Sequence, residues 1–212
     1  HKSGNFSARD PKTGYVVITP TSVDRNLLTP RDMVVIDLDA NVIENLSNLR
    51  PTSESLMHFM IYKTRPEINA IAHTHSAFAT SFAVLNKPIP AIVYEVASLG
   101  LTKARIPVAP YGRPGTTELA ESVIEPCKEG DCFLLEKHGA VAVDKGDIYA
   151  AFLKAAYIEE LAELYYRCLG INKGVEPDSF TQEELASWAY PSQINMKWFL
   201  FERRIYSEKN YK

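Results

Sequence analysis

The sequence predicts a single α/β domain in which short buried strands alternate with helices. The chain has 212 residues, 46% of them apolar, which is enough to bury a core as one domain. Short apolar runs bounded by turn-forming residues predict strands, and longer segments that open on capping residues predict helices. No internal repeat or linker divides the chain, so we expect one domain over 1–212, with a tail at 198–212 whose structure the sequence does not predict.

The first third of the chain predicts four strands around one helix. Apolar runs at 15–19, 33–38, 42–43 and 68–72 are bounded by turn-forming residues, as is typical of short strands. Thr52 or Ser53 can cap a helix that continues to about residue 62, where apolar side chains recur at helical spacing. We also expect the natural beginning of the domain to be missing, because the turn-forming stretch 3–5 is an unusual start for a domain.

The rest of the chain predicts four further helices and several strands. A helix is expected over 78–85, extended structure over 89–94 with Pro90 at a sheet edge, and a strand over 104–108. Thr116 or Thr117 can cap a helix that continues to about 124, and strands follow at 132–136 and 140–143. A long helix is expected over 148–169, capped by Asp147 and ended by Gly170. A capping box at 181–184 predicts the last helix.

Composition limits the partners and the compartment that we expect. A formal net charge of −3 gives no electrostatic reason to expect nucleic acid or an anionic membrane as partner. The cysteines Cys127, Cys132 and Cys168 form no CxxC pair and are odd in number, which favours free thiols in a reducing compartment. No run approaches the roughly 18 apolar residues that span a bilayer, and no signal peptide is visible. We therefore expect a cytoplasmic protein.

Two histidines at the end of a predicted strand suggest a metal site. His73 and His75 follow the apolar run 68–72, and residues two apart on a strand project to the same face. Both imidazoles could therefore share one ion, although two surface histidines at a strand end would show the same pattern. Further ligands could come from the charged stretches 51–54 and 136–139.

Three polar stretches could bind an anionic group. Gly4 permits a positive φ beside the Asn5 amide, and Thr21 and Ser22 offer hydroxyls and amides after a predicted strand. Thr52 and Ser53 stand at a predicted helix N-terminus, where free N–H groups and the helix dipole favour a phosphate. Ordinary turns and helix capping explain each stretch equally well when it is taken alone. His58, four residues after Glu54, is expected to be a packing residue or a supporting residue behind the site.

Six motifs, in the same order along the chain, resemble those of the class II aldolase/adducin family, and within it most of all the L-fuculose-1-phosphate aldolases. They are SGN at 3–5, ITPTS at 18–22, PTSE at 51–54, HTH at 73–75, IPAIVY at 89–94 and KHG at 137–139. The resemblance implies one α/β domain with a central, mainly antiparallel sheet flanked by helices. It also implies a cyclic homotetramer with active sites at the subunit interfaces.

The resemblance further assigns roles to residues of this chain. It implies that His73, His75 and His138 bind one Zn²⁺ per subunit. It implies that Glu54 is the acid/base, which also contacts the metal when no substrate is bound, and that Tyr94 serves the site of a neighbouring subunit. The implied phosphate pocket consists of Gly4, Asn5, Thr21, Ser22, Thr52 and Ser53. A tyrosine of the tail also assists in such enzymes, and Tyr206 and Tyr211 are the candidates.

The implied reaction is the reversible cleavage of L-fuculose 1-phosphate to dihydroxyacetone phosphate and L-lactaldehyde. A related L-ribulose-5-phosphate 4-epimerase is the main alternative, but such epimerases usually carry Asp where Glu54 stands. Other ketose-1-phosphate aldolases remain open, as does a methylthioribulose-phosphate dehydratase, for which Glu95 would be tested. The adducin branch uses the fold as a non-catalytic binding module, and retention of the three histidines and Glu54 argues against it.

Overall fold

The computed structural model describes residues 3–188, which fold around a large β-sheet. The strands are β1 (Asn5–Arg9), β2 (Val16–Ile18), β3 (Val34–Ile36), β4 (Val42–Glu44), β5 (Ala70–Thr74), β6 (Ile89–Pro90), β7 (Arg105–Ile106), β8 (Val108–Ala109), β9 (Cys132–Leu135) and β10 (Gly139–Asp144). The helices are α1 (Ser55–Thr64), α2 (Ala77–Val84), α3 (Thr117–Ser122), α4 (Ile124–Lys128), α5 (Ile148–Ile171) and α6 (Gln182–Ser187). Within residues 3–188, none of these helices is both long and apolar enough to cross a membrane.

Eight of the strands form one sheet in the order β4-β3-β2-β1-β5-β10-β9-β8. Every neighbouring pair is antiparallel except β8 and β9, so the expected mainly antiparallel sheet is confirmed. Strand β5 lies near the middle, between β1 and β10. His73 of β5 is opposite Asn5 on one side and Val141 on the other. The residues of the site therefore meet in the centre of the sheet.

The two faces of the sheet carry side chains of different size. On β5, Ala70 and Ala72 face the core under α2 and α5, whereas Ile71 faces the core under α1, α3 and α4. This alternation is the two-residue period of a strand with both faces buried. The small side chains leave room for the 24-residue helix α5 to lie close to the sheet. His73 continues the face of Ile71, toward the helix that follows Glu54.

Two elements of the first third differ from the prediction. The stretch 5–9 forms strand β1, which pairs with β2 and β5, although its small and polar residues indicated only a turn leading to a strand. Helix α1 begins at Ser55, so neither Thr52 nor Ser53 is its N-cap; Glu54 occupies that position without a capping hydrogen bond from its side chain. The Thr52 hydroxyl instead accepts a hydrogen bond from the Glu54 amide, at 3.4 Å.

Later elements differ at turns and helix ends. The predicted extended stretch 89–94 is a strand only at Ile89–Pro90, and Tyr94–Leu99 is a 3₁₀ helix. The predicted strand 104–108 is divided into β7 and β8, with Pro107 between them. Helix α5 passes through Gly170 to Ile171, so that glycine does not end the helix. Asp147 and the capping box of Thr181 act as predicted. The tail 198–212, with Tyr206 and Tyr211, lies outside the described residues.

Candidate metal centre

Four side chains from three parts of the chain converge on one point. Glu54 precedes α1, His73 and His75 lie at the end of β5, and His138 lies in the turn between β9 and β10. One ligand atom from each residue lies within 4.8 Å of all the others. The three imidazole rings meet edge-on, with centroids 4.8–4.9 Å apart. The structure therefore brings together all four residues that were expected to hold a metal.

Three of the distances between donor atoms are close to those of a tetrahedral metal site. Nε2 of His73 lies 3.1 Å from Nε2 of His75 and 3.2 Å from Oε2 of Glu54. Nε2 of His138 lies 3.0 Å from Oε1 of Glu54. In a tetrahedral zinc site with Zn–N bonds of about 2.0–2.1 Å, neighbouring ligand atoms lie about 3.3 Å apart. The four donors fit a divalent cation of this size.

Hydrogen bonding also leaves the inner atoms available for a cation. The Nδ1–H of His73 donates to the Ala140 carbonyl at 2.9 Å, which leaves the lone pair of Nε2 directed at the centre. Among the described residues, Oε1 of Glu54 is buried without a hydrogen-bond partner, despite its short distance to His138. A buried carboxylate oxygen that has no donor is costly, and a cation between these atoms would satisfy it.

The electrostatics of the cluster keep Glu54 and His75 in the forms that bind a metal. Burial raises the pKa of the Glu54 carboxyl, but its interactions with His138, His73 and Asn5 lower that pKa by more, so Glu54 is a carboxylate. His75 is exposed at the surface, but partial burial of its ring, together with the nearby His73 and His138, lowers its pKa to about 4. His75 is therefore a neutral imidazole at neutral pH, as metal coordination requires.

Two glycines allow the strands to approach the histidines closely. A Cβ on Gly139 would lie 2.3 Å from the Thr74 carbonyl oxygen and 3.2 Å from ring carbons of both His73 and His75. A Cβ on Gly4, where φ is +76°, would lie 2.7 Å from the His73 carbonyl oxygen. Both positions therefore require the absence of a side chain. Gly4 was expected in the phosphate pocket, and this close approach gives a second, structural reason for a glycine at that position.

We expect Gly139→Ala to destabilise the protein by about 1–3 kcal/mol, because the added methyl must displace the backbone of β5. Gly170→Ala is the matched control, since a Cβ at Gly170 meets nothing within 4 Å and alanine is favoured over glycine in the last turn of α5 by at most about 1 kcal/mol. Urea unfolding of the two variants measures both changes. A Gly139→Ala variant as stable as the Gly170→Ala variant would contradict the close approach.

The segments expected to bind phosphate lie side by side next to the metal centre. The Thr21 amide donates to the Arg50 carbonyl at 2.9 Å, and the Thr52 amide donates to the Thr19 carbonyl at 3.0 Å. These bonds join the loop of Thr21 and Ser22 to the segment of Thr52 and Ser53. Ser22 has a φ of +64°, a left-handed conformation in a tight turn. Ser22 and Ser53 are exposed, whereas Thr52 is buried.

Two sets of hydrogen bonds that support these segments were not predicted. Arg25 donates to the Pro20 carbonyl at 2.9 Å and to the Gly4 carbonyl. One guanidinium therefore joins the segment of Gly4 to the loop that contains Thr21 and Ser22. Asn5 donates to Glu54 at 2.5 Å and is held in turn by His58. Apart from Arg25 and Pro20, these partners are 21 to 53 residues apart, so no local pattern could have found their contacts. His58, by contrast, was expected as a packing or supporting residue.

Tyr94 lies on the surface of the subunit. Its side chain is 43% exposed, and its ring stacks on that of Trp188 with centroids 5.4 Å apart. Together with Glu95 and Tyr157, it lines a cavity of about 260 Å³ against α5. The contacts that the structure describes for Tyr94 are therefore on the α5 side of the molecule, and not within the cluster of histidines.

Comparison with known proteins identifies the family. The family model "Class II Aldolase and Adducin N-terminal domain" matches residues 1–166. A 5-methylthioribulose-1-phosphate/5-deoxyribulose-1-phosphate aldolase from Escherichia coli is 39% identical over 173 residues, covering 82% of this chain and 78% of the relative. An L-fuculose phosphate aldolase from Methanococcus maripaludis is also 39% identical, over 163 residues that cover 77% of this chain and 84% of the relative.

A solved structure of an L-fuculose 1-phosphate aldolase has the same fold. It superposes with a TM-score of 0.79 at 34% sequence identity, covering 87% of this chain and 83% of its own. Class II aldolases depend on a metal, and the four convergent ligands of this chain could bind one. The chain therefore belongs to the class II aldolase and adducin family, and within it to the enzymes, as an aldolase and hence a lyase.

Proposed function

We propose that this enzyme cleaves a ketose 1-phosphate reversibly into dihydroxyacetone phosphate and a short aldehyde. L-Fuculose 1-phosphate, which would yield L-lactaldehyde, is the substrate we place first. The observation that carries the proposal is the convergence of one carboxylate and three imidazoles next to three polar segments. All four donor atoms lie within 4.8 Å of one another, and three pairs of them are 3.0–3.2 Å apart. A relative and a solved structure that are named for L-fuculose phosphate support this substrate.

We propose Zn²⁺ as the cofactor, one ion per subunit, held by His73, His75 and His138. Imidazole nitrogens suit zinc, and three protein ligands leave a coordination position open for substrate, as in catalytic zinc sites. A bound ion would supply Lewis-acid stabilisation of the negative charge that develops as the carbon–carbon bond breaks. No lysine Schiff base is then needed.

The side chains would bind the phosphate and move two protons. We assign the phosphate to the segments of Gly4 and Asn5, of Thr21 and Ser22, and of Thr52 and Ser53. When the C3–C4 bond breaks, the electron pair stays on C3, and the C4 hydroxyl loses its proton as the aldehyde forms. In the direction of synthesis the Glu54 carboxylate would take the C3 proton, and the phenol of Tyr94 of a neighbouring subunit would donate a proton to the aldehyde oxygen that becomes the C4 hydroxyl. In the direction of cleavage the same two protons would move back.

This assignment requires an oligomer with sites between subunits, and we propose that it is a homotetramer. We also propose that the enzyme works in the cytoplasm. Two observations support these proposals. Tyr94 is exposed on the side of α5, where it could reach a neighbouring subunit. All three cysteines are free, although Cys127 and Cys132 are buried close together in the chain. Free thiols are typical of reducing compartments.

A shared site predicts complementation between two inactive variants. Tyr94→Phe and Glu54→Gln oligomers should each lose most activity, and mixed oligomers made by co-expression should recover part of it. The reason is that some interfaces then combine an intact Tyr94 from one subunit with an intact Glu54 from the other. Differently tagged subunits and tandem purification isolate the mixed species for assay. Mixed oligomers as inactive as their parents would contradict a site shared between subunits.

A second candidate substrate is 5-deoxyribulose 1-phosphate or its methylthio analogue. The specific observation is the 39% identity to an aldolase named for those compounds, equal to that of the L-fuculose phosphate aldolase. Both substrates would release dihydroxyacetone phosphate and differ only in the aldehyde. Epimerisation of L-ribulose 5-phosphate is the other reaction to be tested, because it would release no triose phosphate.

The deciding experiment offers the zinc-loaded enzyme each of the three sugar phosphates. Coupled detection reports dihydroxyacetone phosphate, and chromatography reports any epimer. We expect triose release from L-fuculose 1-phosphate, lost on chelation and restored by Zn²⁺. A higher kcat/KM on 5-deoxyribulose 1-phosphate would assign the second substrate, and epimerisation without triose release would overturn the aldolase proposal.

A further inference from the structure

A buried row of polar side chains lies behind Glu54, and the proposed reaction gives a role only to its last residue, Asn5. The row runs from Tyr62 through Ser7 and His58 to Asn5, which contacts Glu54. All four of its residues are at most 3% exposed. Polar groups buried this deeply are costly unless each is hydrogen-bonded, and here each is bonded to the next. The row joins one side of α1 to strand β1.

The hydrogen bonds of this row can run in only one direction. Oδ1 of Asn5 can only accept, so Nε2 of His58, 2.6 Å away, must carry the hydrogen. Nδ1 of a neutral His58 then accepts from the Ser7 hydroxyl at 2.7 Å, and Ser7 accepts from the Tyr62 hydroxyl at 2.8 Å. Every donor therefore points toward Glu54, where Nδ2 of Asn5 donates to Oε2 at 2.5 Å.

The protonation states of the row are fixed by burial. Burial and the nearby His73 lower the pKa of His58 to about 3, so this imidazole is neutral throughout the working range of an enzyme. Burial also raises the pKa of Tyr62, so its phenol keeps its hydrogen. The reverse order of hydrogen bonds would place Oδ1 of Asn5 against the Glu54 carboxylate, where two acceptors would repel each other.

We propose that His58, oriented by Ser7 and Tyr62, is a positioning residue that turns the donor of Asn5 toward Glu54 and so fixes the angle of the Glu54 carboxylate. One carboxylate oxygen is thereby held by Asn5, while the other lies 3.0 Å from Nε2 of His138. The effect of His58 on turnover rests on the proposed aldolase reaction, whereas its effect on metal binding does not. Residues that orient metal ligands in this way typically change affinity or activity by about 10–100-fold.

The test compares His58→Leu with His58→Gln. Leucine fills the space without a donor, whereas glutamine can still present an N–H to Oδ1 of Asn5. We expect His58→Leu to weaken Zn²⁺ binding, measured by chelator competition, by about 10-fold, and to lower kcat by about 10–100-fold with little change in KM. We expect His58→Gln to retain most of the wild-type zinc affinity and most of the wild-type kcat.

Two controls separate positioning from general loss of structure. Ile61 is fully buried on the same helix, in the apolar core, so Ile61→Ala should lower the melting temperature without changing zinc affinity or kcat. In an Asn5→Ala background, His58→Leu should cause no further loss, because His58 acts through Asn5. Nitrogen NMR of the wild-type imidazole should report the neutral form with hydrogen on Nε2 between pH 5 and 9.

The role of His58 can be tested even if no substrate is known. If the wild-type enzyme cleaves none of the sugar phosphates, the proposed function fails, and zinc affinity with the NMR tautomer still decides the role of His58. The inference is overturned if His58→Leu binds Zn²⁺ as tightly as the wild type does. It is also overturned if its effect adds in full to that of Asn5→Ala, or if the imidazole carries its hydrogen on Nδ1.

Discussion

Glu54→Gln should lower kcat by about 10²–10⁴-fold, the range that a positioned general acid or base contributes. The change is nearly isosteric, and the glutamine oxygen can still accept the hydrogen bond that Asn5 donates at 2.5 Å. The amide cannot move a proton to or from C3, so turnover should fall while the fold is retained. Steady-state kinetics on the substrate that the sugar-phosphate assay identifies, with metal content measured on the same samples, check this result.

The control for the loss of one negative charge is Glu118→Gln, because Glu118 is exposed in the first turn of α3. We expect this variant to keep the wild-type kcat. The three histidines should retain the metal in Glu54→Gln, so a zinc content near that of the wild type shows that the loss is one of proton transfer. A Glu54→Gln enzyme that contained zinc and kept its kcat would exclude Glu54 as the acid/base.

The sequence predicts the parts of this molecule that depend on local pattern. The apolar runs give most of the strands of the sheet, because a strand buried on both faces shows as a short apolar run. The i, i+2 spacing places His73 and His75 on one face, and Asp147 begins α5 as predicted. The third histidine, His138, could be linked to the other two only through the motifs of the family, since nothing near it in the sequence indicates a metal.

The contacts that the sequence does not predict are those made across the fold. Strand β1 has few apolar residues, because Asn5 and Ser7 on its buried face bond to α1 instead of packing in an apolar core. Helix α5 continues through Gly170 because the rest of its buried face packs on the sheet, and one glycine costs only about 1 kcal/mol. In both cases tertiary contacts outweigh local preference. The contacts of Tyr94 likewise depend on how the chain folds back at Trp188.

Removal of the metal should abolish turnover and lower the melting temperature. A ligand that binds only the folded state stabilises it by about 2.7 kcal/mol when its free concentration is 100 times its dissociation constant. For a domain of this size each kcal/mol shifts the melting temperature by about 2–4 °C, so Zn²⁺ should raise it by several degrees. Thermal unfolding of the chelated protein, with and without added Zn²⁺, measures the shift.

His75→Ala separates metal binding from packing, because His75 is exposed whereas His73 is fully buried. The chelated variant should melt at nearly the same temperature as the chelated wild type, since truncation of an exposed side chain leaves no cavity. Added Zn²⁺ should then raise the melting temperature of the wild type by several degrees and that of the variant by much less. Turnover in the presence of Zn²⁺ should likewise be higher in the wild type than in the variant. Equal stabilisation of both proteins would show that the ion binds elsewhere, and the assignment of His75 as a ligand would be wrong.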